Sequence, residues 1–442
     1  MERKLAVILD CVEDSKDELV ELARELIRIP SVYRPESGGS EEGIAHFLTR
    51  KLEELGLEVT VEEVAPGRPN VIAILKGQGG EGKTLMFEAH SDVVTEGDPE
   101  EWTYPPFEAE IADGRIYGRG ACDTKGNLAA AIVAIKAIRE SGVDFPGKIL
   151  LGIPVDEEGL MLGIKHFIEH GWAKEVDGAI ICEPEDNQIC ITQKGALRAE
   201  VNTYGKMSHG AMPLAGINPI PPMAEIIRRL VELERAEIER LGKHPFLGFP
   251  SFTPTVLQAP VVGEPQLNVM PSRCRMLLDI RTIPGQEHEE LKARLAKLVA
   301  EVEAEVQKSL REGFQRRIRE ELEEGLSQGL SFAAELNIFE DRPWTETPKD
   351  DPLVQAVDQA VRLVTGREPV YNGVPGATDG TFLWAWAKVP IVTIGAGDRL
   401  VPHQKDEWVE IAQLVETAKI YATSALIYLD LGRDKGQPKR AG

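Results

Sequence analysis

Apolar positions along the 442 residues recur at two spacings, one helical and one strand-like, and the change from one to the other divides the chain. Ser15 followed by Glu18 has capping-box spacing, and Leu19, Leu22, Ala23, Leu26 and Ile27 then share one helical face until Pro30 stops them. A second amphipathic helix is predicted after Ser40, with Ile44, Phe47, Leu48, Leu52 and Leu55 inward and Gly56 as its terminator. Short β-rich runs follow at 57–61, 70–75 and 84–89, the last almost wholly apolar, as in a strand covered on both faces. Asp113-Gly114 between two extended runs predicts a hairpin turn. A helix over 127–139, a strand over 148–155, a helix over 160–170 and a strand over 178–182 complete an α/β alternation.

After Lys194 the texture changes. A strand at 197–203, a long helix at 222–241, proline-rich strands, a helix at 287–310 and a strand near 334–339 predict a separate unit of sheet and helices. The α/β character returns after Pro348, with a helix at 351–365, a buried strand at 390–394 and a closing helix at 411–431. The expected organisation is one domain in two pieces, 1–195 and 347–442, around an insert at 196–346. The segment 301–327 alternates Glu and Arg and reads as a solvated helical face. The part from Leu310 to Gly329 is longer and more charged than a compact insert needs.

Composition narrows the function. Asp and Glu total 73 against 50 Lys and Arg, a net charge of −23 that would repel a phosphate backbone and argues against nucleic acid as a partner. Five scattered cysteines without a C-x-x-C pair argue against a disulfide framework or thiolate zinc site and for a reducing compartment. The apolar run Leu5–Leu9 is short for a signal segment, and no stretch nears the roughly 18 apolar residues of a membrane helix. The sequence reads as a soluble cytoplasmic protein with no membrane partner.

Candidate chemistry gathers where predicted strands end: His90-Ser91-Asp92, Asp156-Glu157-Glu158, Glu183-Pro184 and, shortly after 391–394, His403. In an open α/β sheet those ends share one crevice, so residues distant in sequence converge there. Asp123 lies in a glycine-containing run just before a helix. Imidazoles and carboxylates without thiolates suit a hydrolytic zinc centre, and manganese or cobalt accepts the same donors. Taken singly, each acid also fits a helix cap or a solvated loop. Glu157 beside Glu158 fits that less well, because adjacent carboxylates at a buried strand end repel unless a cation neutralises them. His46, His166, His170, His244 and His288 lie in helix or loop patterns without such a cluster and are read as structural.

Ala89-His90-Ser91-Asp92-Val93-Val94, the run Tyr117 to Gly126, the pair Glu157-Glu158, Glu183-Pro184 and the late His403 occur in one order. This set resembles the acetylornithine deacetylase, succinyl-diaminopimelate desuccinylase, aminoacylase and glutamate carboxypeptidase family of co-catalytic zinc hydrolases. The resemblance spans nearly the whole chain. It implies a zinc-exopeptidase-like α/β domain with a mixed sheet between helices, plus an inserted α+β lid that is also the dimerisation domain. It further implies two divalent metal ions, zinc foremost, with cobalt or manganese as alternatives. His90 and Glu183 would hold one ion, Glu158 and His403 the other, and Asp123 would bridge them. Asp92 would orient the His90 ring, and Glu157 would be the general base.

In the insert, Ser208-His209-Gly210 resembles the lid histidine motif, so His209 would stabilise the oxyanion, in its own subunit or across a homodimer. Asn268 and Arg281 match substrate-holding positions, although Arg281 reads equally as an ion pair with Asp279. Gly376, in the run Gly376-Ala377-Thr378-Asp379-Gly380, resembles a loop that offers amides to the substrate, against the plainer reading of a turn before a helix. The implied activity is hydrolysis of the amide bond of an N-acyl amino acid. The alternative is a metallo-exopeptidase acting on dipeptides or short peptides, and a metal-dependent binding protein that kept the scaffold is a third reading. The intact Glu157 argues against the third.

Overall fold

A computed structural model describes residues 2–34, 36, 40–321 and 331–430. The chain divides into two units, 1–193 with 345–442, and 194–344. Among the described residues of the first unit, nine strands form one mixed sheet. Its path runs Glu58–Ala65, Arg68–Lys76, Lys148–Ile153, Thr84–Glu88, Gly178–Ile181, Ile391–Thr393, Ile189–Gln193 and Thr345–Glu346, with Tyr371–Val374 paired to Ile189–Gln193. The middle four strands are mutually parallel and almost entirely buried, which is why their sequence is continuously apolar rather than alternating.

Two helices beside this sheet, Lys125–Glu140 and Ile411–Asp430, are buried nearly all round and pack on each other. Such a helix needs apolar residues on every face rather than one stripe. Tyr421 of the second meets Phe87 of the strand Thr84–Glu88, with ring centroids 5.4 Å apart, and its hydroxyl donates to the Ile394 carbonyl at 2.7 Å. Among the described residues, no helix is long and apolar enough to cross a membrane.

The amino-terminal end differs from the sequence reading. Residues Glu2–Asp14 form a helix, with Leu5 and Ile8 of the short apolar run and Val12 beyond it buried at helical spacing. The capping box at Ser15 does not form. Its amide donates to the Cys11 carbonyl at 3.2 Å, so Ser15 continues the first helix instead of entering the second from an extended conformation. Gly56 does end its helix at φ 66°, and Asp113-Gly114 turns the hairpin Glu110–Ala112 to Arg115–Tyr117 with both φ positive.

The second unit carries a four-stranded antiparallel sheet in the order Ser251–Gln258, Arg273–Thr282, Gly195–Tyr204, Ala333–Arg342. Burial alternates strictly along Arg273–Thr282, as one covered face requires. Leu197, Val201, Met276, Leu278 and Ile280 on that face pack with Met223, Ile226 and Leu230 of the helix Ile220–Leu241 and Leu291, Leu295 and Val302 of the helix His288–Glu321. The latter helix passes the expected end at residue 310, because the Arg, Glu and Gln that follow favour helix. Residues 322–329 of the charged segment lie outside the described residues.

Glu237 ties these two helices together. Its side chain is buried and accepts from Arg240, from Arg294 and from Gln286 at 3.1 Å. Burial alone would raise its carboxyl, but those donors overcome it and lower the pKa to about 2. A carboxylate depressed in the folded state stabilises above its unfolded pKa, and that contribution is lost as pH falls through the folded one. Glu237→Gln is therefore expected to cost about 1.5 to 3 kcal/mol at pH 7. The difference from wild type in urea unfolding should shrink between about pH 4.5 and pH 2, and a deficit independent of pH would contradict the assignment.

Candidate metal centre

The four parallel strands stand side by side in the order Lys148–Ile153, Thr84–Glu88, Gly178–Ile181, Ile391–Thr393, so their carboxyl ends open on one edge. The chain leaving the first carries Glu157 and Glu158, the second His90 and Asp92, the third Glu183, and the fourth runs on to His403. Asp123 enters from the loop between the hairpin and the helix Lys125–Glu140.

Asp123 lies between the two histidines. Its Oδ1 is 3.0 Å from His90 Nε2 and its Oδ2 is 3.4 Å from His403 Nε2. Glu183 Oε1 lies 3.6 Å from the same His90 nitrogen, and Glu158 Oε1 lies 2.9 Å from the same His403 nitrogen. Each imidazole thus faces Asp123 and one glutamate of its own. Donor atoms around a tetrahedral ion with arms of about 2.1 Å stand about 3.4 Å apart, and the four separations, from 2.9 to 3.6 Å, bracket that edge. One donor each from His90, Asp123 and Glu158 lies within 4.8 Å of the others. Nitrogen and oxygen donors of this kind fit a divalent ion, and burial pushes the pKa values of the nearby Cys122 and Cys182 thiols well up.

The positions of these groups are set by their surroundings. His90 Nδ1 lies 3.0 Å from the Asp92 backbone carbonyl, which leaves Nε2 toward the carboxylates. The Asp92 carboxylate is 3.6 Å from that ring and accepts from the amides of Glu157 at 3.2 Å and Glu158 at 3.1 Å. One acid therefore fixes the histidine and both glutamates. Glu407 does the same for Asp123, accepting from the amides of Cys122 at 2.9 Å and Asp123 at 3.0 Å while ion-paired with buried Arg119. Asn127 bonds the Cys122 and Ala396 carbonyls and the Ala396 amide, joining the Asp123 loop to the end of the fourth strand.

Charge and burial oppose each other throughout. Burial raises Glu157 well above the usual carboxylate range, helped by Glu158, Asp379 and Asp123 and opposed by His90. Glu183 and Glu158 are raised by burial and then by the Asp123 charge. Burial would also raise Asp123, but His403 and His90 pull it well down. His403 is carried to about 10 by Asp123 and then Glu158. Burial would lower His90, and Asp123 and Asp92 more than reverse that. Among the described residues, no side chain hydrogen-bonds the Glu157 carboxylate, in contrast to its neighbour Asp156, which accepts from Arg68 at 2.7 Å and from the amides of Leu160 and Leu162.

The remaining candidates lie elsewhere. His209 and Asn268 neighbour each other in the second unit, where Ser208–His209 pairs with Val269–Met270 and the Gly210 amide donates to the Asn268 carbonyl at 2.7 Å. Both are exposed. Arg281, also in that unit, forms a two-pronged pair with Asp279 at 2.7 and 3.1 Å. Gly376 sits in the first unit between Tyr371–Val374 and the helix Gly380–Ala387, with open space where a Cβ would be. Sequence reasoning passed over Glu407, Arg119, Glu88 and Asp379. Glu407 and Arg119 are 288 residues apart, and no local pattern joins them. Glu88 is buried with both carboxylate oxygens unbonded, and burial pushes it up to about 8. The signal for it was an acid ending an otherwise apolar strand.

Comparison with known proteins follows the same outline. Residues 86–426 match Peptidase family M20/M25/M40. The chain is 30% identical over 434 residues to N-formyl-4-amino-5-aminomethyl-2-methylpyrimidine deformylase of Bacillus subtilis, covering 95% of this chain and 96% of that one. It is 30% identical over 418 residues to succinyl-diaminopimelate desuccinylase of Rhodospirillum centenum, covering 91% and 95%. In fold it is similar to the dipeptidase Dug1p of Saccharomyces cerevisiae, with a TM-score of 0.71, 18% identity and 97% and 99% of the two chains covered. It is likewise similar to the M20 family metallo-carboxypeptidase Sso-CP2 of Sulfolobus solfataricus, with a TM-score of 0.71, 21% identity and 93% and 99% covered. The chain belongs to peptidase family M20/M25/M40, and it is a metal-dependent amide hydrolase.

Proposed function

We propose that the protein removes the acyl group from an N-acyl amino acid, using two divalent metal ions, zinc foremost, with cobalt or manganese accepted by the same donors. The observation that carries this reading is Asp123, whose two oxygens face two different imidazoles. His90 and Glu183 would hold one ion, His403 and Glu158 the other, with Asp123 shared. Bound there, the ions would make water a nucleophile at neutral pH and polarise the scissile carbonyl. Asp92 keeps the His90 ring and the Glu157 and Glu158 backbone in place. Glu157 takes the proton from the attacking water and returns it to the leaving nitrogen. Its carboxylate is suited to this because it is tied to neither histidine.

The insert would act as lid and dimerisation domain. There His209 would stabilise the developing oxyanion, and Asn268 and Arg281 would hold the substrate, with the Gly376 loop offering an amide. Asp279 occupies Nε and Nη2 of Arg281, which leaves Nη1 for a substrate carboxylate. A homodimer is supported by the outer strand Ser251–Gln258, whose free edge carries exposed Val256 and Leu257. Location in the cytoplasm is part of the proposal and is supported by five unpaired cysteines. Removal of an acyl group is favoured over peptide cleavage because a deformylase and a desuccinylase are among the relatives at 30% identity.

Glu157→Gln should lower turnover by about 10²- to 10⁴-fold while bound metal, read by elemental analysis, stays at the wild-type level. Chelation should abolish activity in the wild type, and zinc, cobalt or manganese should restore it. Undiminished turnover in the variant would remove the proton-shuttle role, and full activity after complete metal removal would remove the centre. A panel of N-formyl, N-acetyl and N-succinyl amino acids beside dipeptides, followed by release of free amine, should show acyl amino acids ahead. A panel cleaved only at dipeptides would establish the exopeptidase instead. Sedimentation velocity should give about twice the monomer mass, and Leu257→Asp should shift it toward monomer; a monomeric wild type would exclude the dimer.

A further inference from the structure

A second group of donors lies away from the strand ends, on the helix Leu162–Glu169 and the edge strand Glu58–Ala65. His166 is in that helix and His170 caps its carboxyl end, so the two imidazoles are one turn apart and lie on the same side. Their rings stack with centroids 3.7 Å apart and 21° between planes. Glu62 approaches from the strand, and one donor atom from each of the three residues lies within 4.8 Å of the other two. We propose that Glu62, His166 and His170 form a further divalent-metal site of the zinc, nickel or copper class, separate from the catalytic centre.

Hydrogen bonds fix the donor atom that two of these groups present. His170 Nδ1 is 2.8 Å from the His166 carbonyl, which can only accept, so Nδ1 carries the proton and Nε2 keeps its lone pair. A backbone carbonyl that fixes the tautomer in this way is the usual outer partner of a metal-binding imidazole. On Glu62, Oε1 accepts from the Trp172 indole at 3.0 Å, which holds the carboxylate in one rotation. Its other oxygen, Oε2, is buried and has no hydrogen-bond partner. That oxygen stands 3.4 Å from His166 Nε2. A charge-assisted hydrogen bond would close to about 2.7 to 2.9 Å, whereas two donors on a tetrahedral ion with arms of about 2.1 Å stand about 3.4 Å apart. The spacing is one that two ligands of a shared ion would have.

Two imidazoles and one carboxylate give zinc three protein ligands and leave a fourth position for water. Copper should bind more tightly than zinc or nickel at such a site. The bound ion would clip the helix that follows the Glu157–Glu158 loop to the edge of the sheet, and so stabilise the folded unit by preferential binding.

Wild type, Glu62→Gln and His170→Ala, each freed of metal by chelation, would be brought to equilibrium with zinc by dialysis and analysed for bound zinc. Glu62→Gln keeps an oxygen for the Trp172 indole, and His170 is exposed, so both variants should retain the fold. Wild type should bind one zinc more than either variant, its thermal midpoint should rise further with zinc than theirs, and hydrolysis by the zinc-loaded variants should match wild type. Equal zinc content in all three proteins would overturn the site. The difference of one equivalent does not depend on how many ions the catalytic centre takes, so a failure there would be seen separately, as a lower count in all three.

Discussion

The constraint on which this structure turns is negative charge held out of water. Glu88, Asp92, Asp123, Glu157, Glu158 and Glu183 surround only two imidazoles, His90 and His403, at the ends of four parallel strands. Asp92 and Asp123 stay ionised because the imidazoles and nearby amides compensate their burial. The glutamates are driven toward protonation by burial, since each desolvated and unpaired charge costs several kcal/mol. A cation removes that cost, so the surrounding fold can keep these residues together only at the expense of its own stability or in the company of metal. Departures from good packing of this kind are expected where function is housed.

The arginines around the site are arranged accordingly. Each is committed to an acid next to a donor rather than to a donor. Arg68 binds Asp156, two residues before Glu158, and also Glu41 at 2.8 and 3.0 Å. Arg119 binds Glu407, which holds the amide of Asp123. Arg399 binds Glu185, two residues beyond Glu183, and the Gly373 carbonyl at 3.2 Å. A guanidinium on a donor carboxylate would occupy with a permanent cation the lone pairs a metal needs. Spent on the adjoining acids, the same charges make the loops rigid and leave Asp123, Glu158 and Glu183 to the two histidines. Glu157 falls outside every one of these pairs.

How much of this could be read from the residues follows from the range of each interaction. His90, Glu158, Glu183 and His403 were legible because each follows an apolar strand, and parallel strands bring such ends together whatever the distance between them in sequence; Asp123, in a glycine-containing run before a helix, was placed with them by the family resemblance. The hairpin at Asp113-Gly114 and the stop at Gly56 were legible because backbone conformation there depends on two or three residues. The capping box at Ser15 failed through a neighbour, a helix that had already paired the serine amide. Glu407 and Arg119 gave no signal, because their value lies wholly in a contact across 288 residues. His166 and His170 were set aside because they lie in a helical pattern with no acid cluster at a strand end. The acid that faces them, Glu62, comes from another strand.

The overall charge of −23 takes on a particular meaning against this background. A substrate carboxylate nearing the crevice before any cation has bound would find no spare cationic partner, since Asp123 holds both imidazoles, and each glutamate that ionised there would add like charge in a setting where salt screens little. On the proposed function the same acids therefore have two consequences that cannot be separated. They bind divalent cations because they are too many for their two histidines, and until they do so the crevice offers an anionic substrate nothing to pair with. With two ions in place, four positive charges outweigh the donor carboxylates and reverse the local field. The order of events, cations first and acyl amino acid second, is then set by the electrostatics of the strand ends and requires no moving part.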